Sequence, residues 1–366
     1  MILGSAAALV AVSGAQAADL PVAEPVDYVR ICDFDGWGTG IQIPGTETCL
    51  KIGGYVRTQI DYSAPLVASA ERTEDHINFY AKGYLKFDAI NDTEYGVLRS
   101  FIDFGATGGS DLSVGKAYIQ FNGFTMGYVG SFFDNTTGAG FFDGPASDET
   151  NRVFAYTMSG GNGFSATLSL EDRDAREVAQ GLAARVATEF VYGGKTAPDV
   201  VAAVGVSQGW GSLKATGVVK QLRSNSAAVG TAYGYAASIG ATFNVGSDTT
   251  LNLGAAYADG AVGYVSYGAY DAAVVGTSIK KSKAWSAVAA LTHAWSSTVS
   301  QDFHYGYGSF DAYGTDADSS IQRLSTRVTY SGITGLSVQG AMEWTNESYS
   351  MAGKKDVNTF ATKLRV

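Results

Sequence analysis

The groups in this chain that could do chemistry are a serine in a Gly-x-Ser-x-Gly pattern, three histidines, two cysteines, and lysines and arginines that recur at alternate positions. Gly205-Val206-Ser207-Gln208-Gly209 fits the nucleophile elbow of hydrolases, a motif that works where a strand turns sharply into a helix. The residues that follow, through Leu222, alternate like a second strand, so Ser207 reads as a serine at a strand end. Nucleophilic catalysis also needs a histidine bonded to its nucleophile and held by an orienting group. His76, His293 and His304 are scattered along the chain, and none has a nucleophile beside it on its own strand. With only two thiols, the same scatter leaves no metal-ligand set. No catalytic residue, metal ligand or cofactor is therefore assigned.

The basic residues carry a clearer signal. From Ile77 to Ala89, Ile77, Phe79, Ala81, Leu85 and Phe87 face one way, while Asn78, Tyr80, Lys82, Tyr84, Lys86 and Asp88 face the other. That is the period of two of a half-buried strand. Continued along the chain, the polar face collects Lys51, Arg57, Lys82, Lys86, Arg99 and Lys116 in the first strands, then Arg323, Arg327, Lys363 and Arg365 in the last. If the other face touches lipid, these cations must point to water, because a charge in hydrocarbon is costly. They would then line one sector of an aqueous wall.

The elements needed to position such a wall are strands that close on themselves. No apolar run after residue 17 is long enough for a membrane helix. Gly, Asn, Asp and Ser clusters instead cut the chain into roughly sixteen alternating segments of about ten residues, the length of a tilted membrane strand. The first strand core is Leu50 to Tyr62 and the last is Val357 to Val366. Short connections such as Asn91-Asp92, Asn122-Gly123 and Gly246-Ser247-Asp248 alternate with long ones such as Phe132 to Asn151, Glu171 to Asp199 and Ala258 to Lys283. Short turns at one rim and long loops at the other are the asymmetry of an outer-membrane barrel. Trp285 and Trp295 share a parity ten residues apart, which matches the two aromatic girdles of such a barrel.

Composition agrees. Charged residues are 16% of the chain, against about 25% in soluble domains, and hydrophobic residues are 46%. Averaging a lipid face with a wet interior produces such values. The net charge of −10 argues against nucleic acid as a partner.

Residues 1–17 read as a signal peptide, with a small apolar core and Ala15-Gln16-Ala17 as the cleavage site, although the basic start of such peptides is absent. Residues 18–49 form an N-terminal segment and residues 50–366 the transmembrane barrel. Cys32 and Cys49 both precede the first barrel strand in an exported chain, which favours a disulfide. Such a bridge would stabilise by about 3 kcal/mol in the loop-entropy model. Its loss is expected to lower heat stability and leave conduction nearly intact.

The link of residues 132–151 is both apolar and acidic, with Phe132, Phe133, Phe141 and Phe142 beside Asp134, Asp143, Asp148 and Glu149. A loop of that composition is expected to fold inward, setting carboxylates across from the basic wall and narrowing the lumen.

The stretch Glu24 to Arg57, E-P-V-D-Y-V-R-I-C-D-F-D-G-W-G-T-G-I-Q-I-P-G-T-E-T-C-L-K-I-G-G-Y-V-R, resembles the N-terminal signature of the rhizobial-type alphaproteobacterial porins. Lys116 to Asp134, K-A-Y-I-Q-F-N-G-F-T-M-G-Y-V-G-S-F-F-D, resembles that family's run into its constriction loop. The resemblance implies a sixteen-stranded all-β barrel with an inward third outer loop, assembled as a homotrimer with a pore for small hydrophilic solutes in each protomer. It also implies pairing of Cys32 with Cys49 and an eyelet at 132–151. Tyr128 stands where a basic residue is expected, and the chain ends on Val366 where such barrels commonly end on an aromatic, although Phe360 keeps the lipid parity.

The expected function is passive diffusion of ions and small polar solutes through the outer membrane, with membrane lipid and lipopolysaccharide around the barrel. The alternative is a barrel enzyme of the lipase or protease type.

Overall fold

The computed structural model describes residues 30–66, 75–135, 146–178, 190–265, 267–268, 270–313, 318–351 and 353–366. The expected leader, residues 1–17, lies outside them. Two short strands, β1 (Ile31–Phe34) and β2 (Gly38–Gln42), form an N-terminal hairpin. After it run β3 (Cys49–Pro65), β4 (Ile77–Thr93), β5 (Gly96–Thr107), β6 (Ser113–Phe121), β7 (Phe124–Gly130), β8 (Thr150–Ser159), β9 (Phe164–Glu171) and β10 (Asp199–Gln208). They continue as β11 (Gly211–Arg223), β12 (Thr231–Val245) and β13 (Thr249–Asp259), and the link that follows carries a small hairpin, β14 (Ala272–Val275) and β15 (Ser278–Lys281). The series ends with β16 (Lys283–Ala294), β17 (Val299–Asp311), β18 (Ser319–Ile333), β19 (Leu336–Tyr349) and β20 (Val357–Arg365).

Each barrel strand pairs antiparallel with the next, and β20 returns to β3 with Thr359 opposite Pro65 and Arg365 opposite Gln59. Apart from the two hairpins, the result is a closed antiparallel barrel of sixteen strands. Closure leaves no row of unpaired backbone groups, as a bilayer demands. The alternating segments match the barrel strands one to one to within a residue at their ends, Val366 falling just past β20, and most strands run past the alternating core at the long-link rim.

The turns explain the register. Asn122 and Gly123 both have positive φ, 46° and 86°, so the β6–β7 connection is the tight hairpin that an Asn-Gly pair favours. Ser207 lies in β10, and Gly209 leads through a turn into β11. No helix follows the Gly-x-Ser-x-Gly pattern, so the nucleophile elbow has no structural basis here.

Parity sorts the faces as expected. Val56 and Phe79, 80% and 79% exposed, point outward, as do Trp285 near the start of β16 and Trp295 just past its end. Outward-parity charges among the described strand residues are Arg152, Arg223, Asp259, Lys283 and Asp311, each at the long-link end of its strand. At that height a charge meets headgroups and costs little, whereas at the bilayer midplane Arg or Lys would cost about 2–4 kcal/mol.

The protein's packed core is on the inside. Val201, Val218, Ala236, Ala258, Ala284 and Phe310 face inward from β10 to β17, and they are covered by Phe133, Val262, Tyr264, Val265 and Tyr270 from the links. Val262, Tyr264, Val265 and Tyr270 of the 258–283 link therefore pack on the lumen face beside Phe133. Its run Ala261-Val262-Gly263-Tyr264-Val265 is as apolar as the stretch that marked 132–151, and the same compositional test identifies it.

Candidate functional site

The cations expected to line the wall come from β3 to β6 and from β18 and β20, strands that the closure of β20 on β3 makes neighbours. All ten share the inward parity, and Lys86 and Lys116 are exposed while the rest are half-exposed. Lys82 in β4 stands opposite Arg57 in β3. The sector is held together by aromatic and acidic neighbours. Arg57 donates to the Tyr80 hydroxyl at 2.8 Å and lies over its ring, and Lys82 lies 5.4 Å from the Tyr84 ring centre. Arg365 donates to Gln59 at 2.7 Å, and Lys363 stands opposite Asp61. Arg323 shares the inward face of β18 with Arg327.

Not every cation contributes a free charge. Arg99 makes a two-pronged pair with Asp88, 2.8 Å on each side, and Arg327 donates to Asp302 at 2.6 Å. Asp103 accepts the Lys116 backbone N–H at 2.7 Å and is bonded by the Tyr84 hydroxyl. Asp88, Asp103 and Asp302 were legible by parity, since each alternates in step with a wall cation on its own or the neighbouring strand. The wall is thus a basic sector laced with acids. Lys51 is drawn away from open water: its ammonium lies 4.3 Å from the Trp37 ring centre and donates to the Trp37 carbonyl.

The acids of the 132–151 link divide. Asp143 lies outside the described residues. Asp134 is a structural anchor: its carboxylate takes the fully buried Arg176 at 2.6 Å and the Glu149 N–H at 2.7 Å. Arg176 also donates to Ser147 and to the Gly263 carbonyl, and its guanidinium sits 4.6 Å from the Tyr264 ring centre. One arginine from the 172–198 link therefore ties together the links 132–151 and 260–282. Neighbouring bonds attach the first of these to the wall: Thr216 to the Phe133 carbonyl at 3.0 Å, Lys214 to the Asp134 carbonyl at 2.7 Å, and Asn135 to Ser238. Asp148 and Glu149 are exposed. Partial desolvation, reinforced by Asp134 and Asp148 against the pull of Arg176, raises the Glu149 carboxyl above the ordinary glutamate value.

Behind these lies a second buried node. Lys220 and Asp271, both without solvent exposure, pair at 2.8 Å, and Asp271 also accepts from the Tyr192 hydroxyl and the N–H groups of Val178 and Val262. Burial, then the charge of Asp271, hold the Tyr192 phenol far above its ordinary pKa, so it remains a donor. Glu171, 1% exposed, accepts from the Ser131 hydroxyl and the Phe132 N–H at 2.7 and 2.9 Å, which fixes the start of the 132–151 link. Lys220 could have been found by parity on β11. Arg176 and Asp271 lie in links, where no periodicity reports a side chain's direction.

Cys32 and Cys49 form a disulfide, with Cα atoms 6.1 Å apart. His304 is buried on the inner face of β17, and His293 bonds the Thr249 hydroxyl at 2.8 Å on the outward face, beside Trp295. The described contacts of His293 include no acidic orienting group.

A family model described as a porin subfamily matches residues 19–364. Porin Omp2b of Brucella suis is 36% identical over 242 residues, covering 58% of this chain and 63% of that porin. The matched stretches thus span less than two thirds of the length of the curated relatives. Among solved structures, the outer membrane channel DcaP of Acinetobacter baumannii superposes with a TM-score of 0.74 at 17% identity, covering 89% of this chain and 99% of that one. OmpT of Vibrio cholerae, an outer membrane protein in trimer form, gives 0.57 at 12% identity, covering 87% and 99%. At such identities the likeness is one of fold.

Proposed function

The chain belongs to the porin subfamily of the outer membrane, and from that membership we propose that it forms a water-filled channel for passive diffusion of ions and small hydrophilic solutes. The observation that carries the reading is the closed barrel with an apolar outer face and a solvent-facing inner sector rich in Lys and Arg. A wall of that kind gives a hydrated ion a path that hydrocarbon denies it.

We place the waist at the 132–151 link. Its first residues, Phe133 and Asn135, are bonded to inward-facing Thr216 and Ser238, which supports an inward course, and its exposed Asp148 and Glu149 would then oppose the wall cations across the water. The packed inner core on the β10 to β17 side supports passage along the opposite, basic sector. No catalysis is proposed, since the serine motif lacks its helix and, among the described residues, the inner surface offers binding charges without an activated nucleophile. Homotrimers, with lipid and lipopolysaccharide against the outer face, complete the proposal on the strength of family membership.

Reconstitution in a planar bilayer tests it. Purified protein should give steady openings that arrive in groups of three equal steps. An absence of ohmic conductance from correctly folded barrels would reject the channel.

A further inference from the structure

The N-terminal hairpin has a place in the lumen that a simple clip would not need. Cys49 is the first residue of β3 and lies opposite Ile90, at the rim where the connections are short. The disulfide and the pairing of Ile41 with Leu50 and Gln42 with Cys49 fasten the hairpin at that rim. Its tip lies against inward-facing wall residues. Trp37 bonds and stacks with inward-facing Lys51, and Asp35, Gly36 and Trp37 line a chamber of about 650 Å³ together with the wall pair Asp88 and Arg99.

Phe132, the first residue of the 132–151 link, lines the same chamber. The tip and the first residue of the link therefore share one chamber. The ring of Trp37 is also held in place: a Cβ on Gly40 would meet it at 2.6 Å, so the absence of a side chain at residue 40 lets the indole pack flat on its own hairpin. A bulky side chain held beside a chamber takes room from it, and the tip adds the exposed carboxylate of Asp35 to the same lining.

We propose that the disulfide-tethered hairpin of residues 31–42 is a second restriction of the pore, at the short-turn mouth, in series with the waist at 132–151, and that Trp37 and Asp35 set what passes it. The inference rests on the channel reading. It revises the expectation that loss of the bridge leaves conduction intact, because untethering would let the tip leave the mouth.

Three proteins test it in the same bilayer: wild type, Trp37→Ala with the disulfide intact, and Cys32→Ser/Cys49→Ser. Each variant should raise single-channel conductance, by up to about twofold if two comparable resistances in series become one, and should admit larger sugars in liposome swelling. In addition, Asp35→Cys treated with a bulky, membrane-impermeant thiol reagent should lose conductance when the reagent is added at the short-turn side. Unchanged conductance and size limit in both variants, with Asp35→Cys insensitive to reagent, would overturn the proposal while the wild-type channel stands. A silent wild type would instead count against the channel itself. Retained heat-modifiability of each variant on gels keeps misfolding separate from either outcome.

Discussion

At the level of single residues, charge on the inner face divides into groups that hold structure and groups free to act on ions. Asp134 belongs to the first kind, consumed by Arg176 and the Glu149 N–H, whereas Asp148 and Glu149 reach water. Replacing Asp143, Asp148 and Glu149 by Asn, Asn and Gln should therefore shift reversal potential under a salt gradient toward anions, and an unchanged potential would reject the eyelet. A pH dependence follows from the raised Glu149 carboxyl. Protonation removes its negative charge, so as pH falls the preference for cations should begin to drop above the ordinary glutamate range. Glu149→Gln should abolish that early component and leave any later one. Arg99 and Arg327, paired with Asp88 and Asp302, are poor candidates for setting selectivity, because a close ion pair presents little net field.

At the level of elements, the links are ordered by buried charge pairs that sit on strand residues. Lys220 projects from β11 and holds Asp271, which in turn gathers Tyr192, Val178 and Val262 from two links. Removing one partner of such a pair leaves an uncompensated buried charge, at a local cost of about 3–5 kcal/mol. Lys220→Ala should therefore leave the barrel intact by circular dichroism while exposing residues 258–283 to protease and making the open channel noisy. Protease resistance equal to wild type would show that the Tyr192 and backbone bonds suffice. Parity identified β11 and could have given the inward direction of Lys220, but only folding brought residue 271 to residue 220.

For the molecule as a whole, closure and the disulfide act on different parts. The barrel holds itself through β20 on β3, and the bridge fastens the hairpin to the end of one strand. In Cys32→Ser/Cys49→Ser the heat needed to unfold the protein on gels should fall, consistent with a bridge worth about 3 kcal/mol for a loop of this length. The β-sheet signal at room temperature should be unchanged. An identical unfolding temperature would mean that the hairpin is held by its pairing with β3 alone.

The alternation of side chains determined the strands, their number, the outward and inward faces and the inward direction of ten cations, because on a strand direction depends only on position being odd or even. It also marked Asn122-Gly123 as a tight turn. Tertiary structure alone decided which charges remain free and what fills the lumen. Arg176 meets Asp134 across 42 residues and Lys220 meets Asp271 across 51, and Trp37 reaches a chamber that Phe132 also lines. Links have no periodicity to fix where a side chain points, so their contacts exist only once the closed wall supplies a surface to fold against.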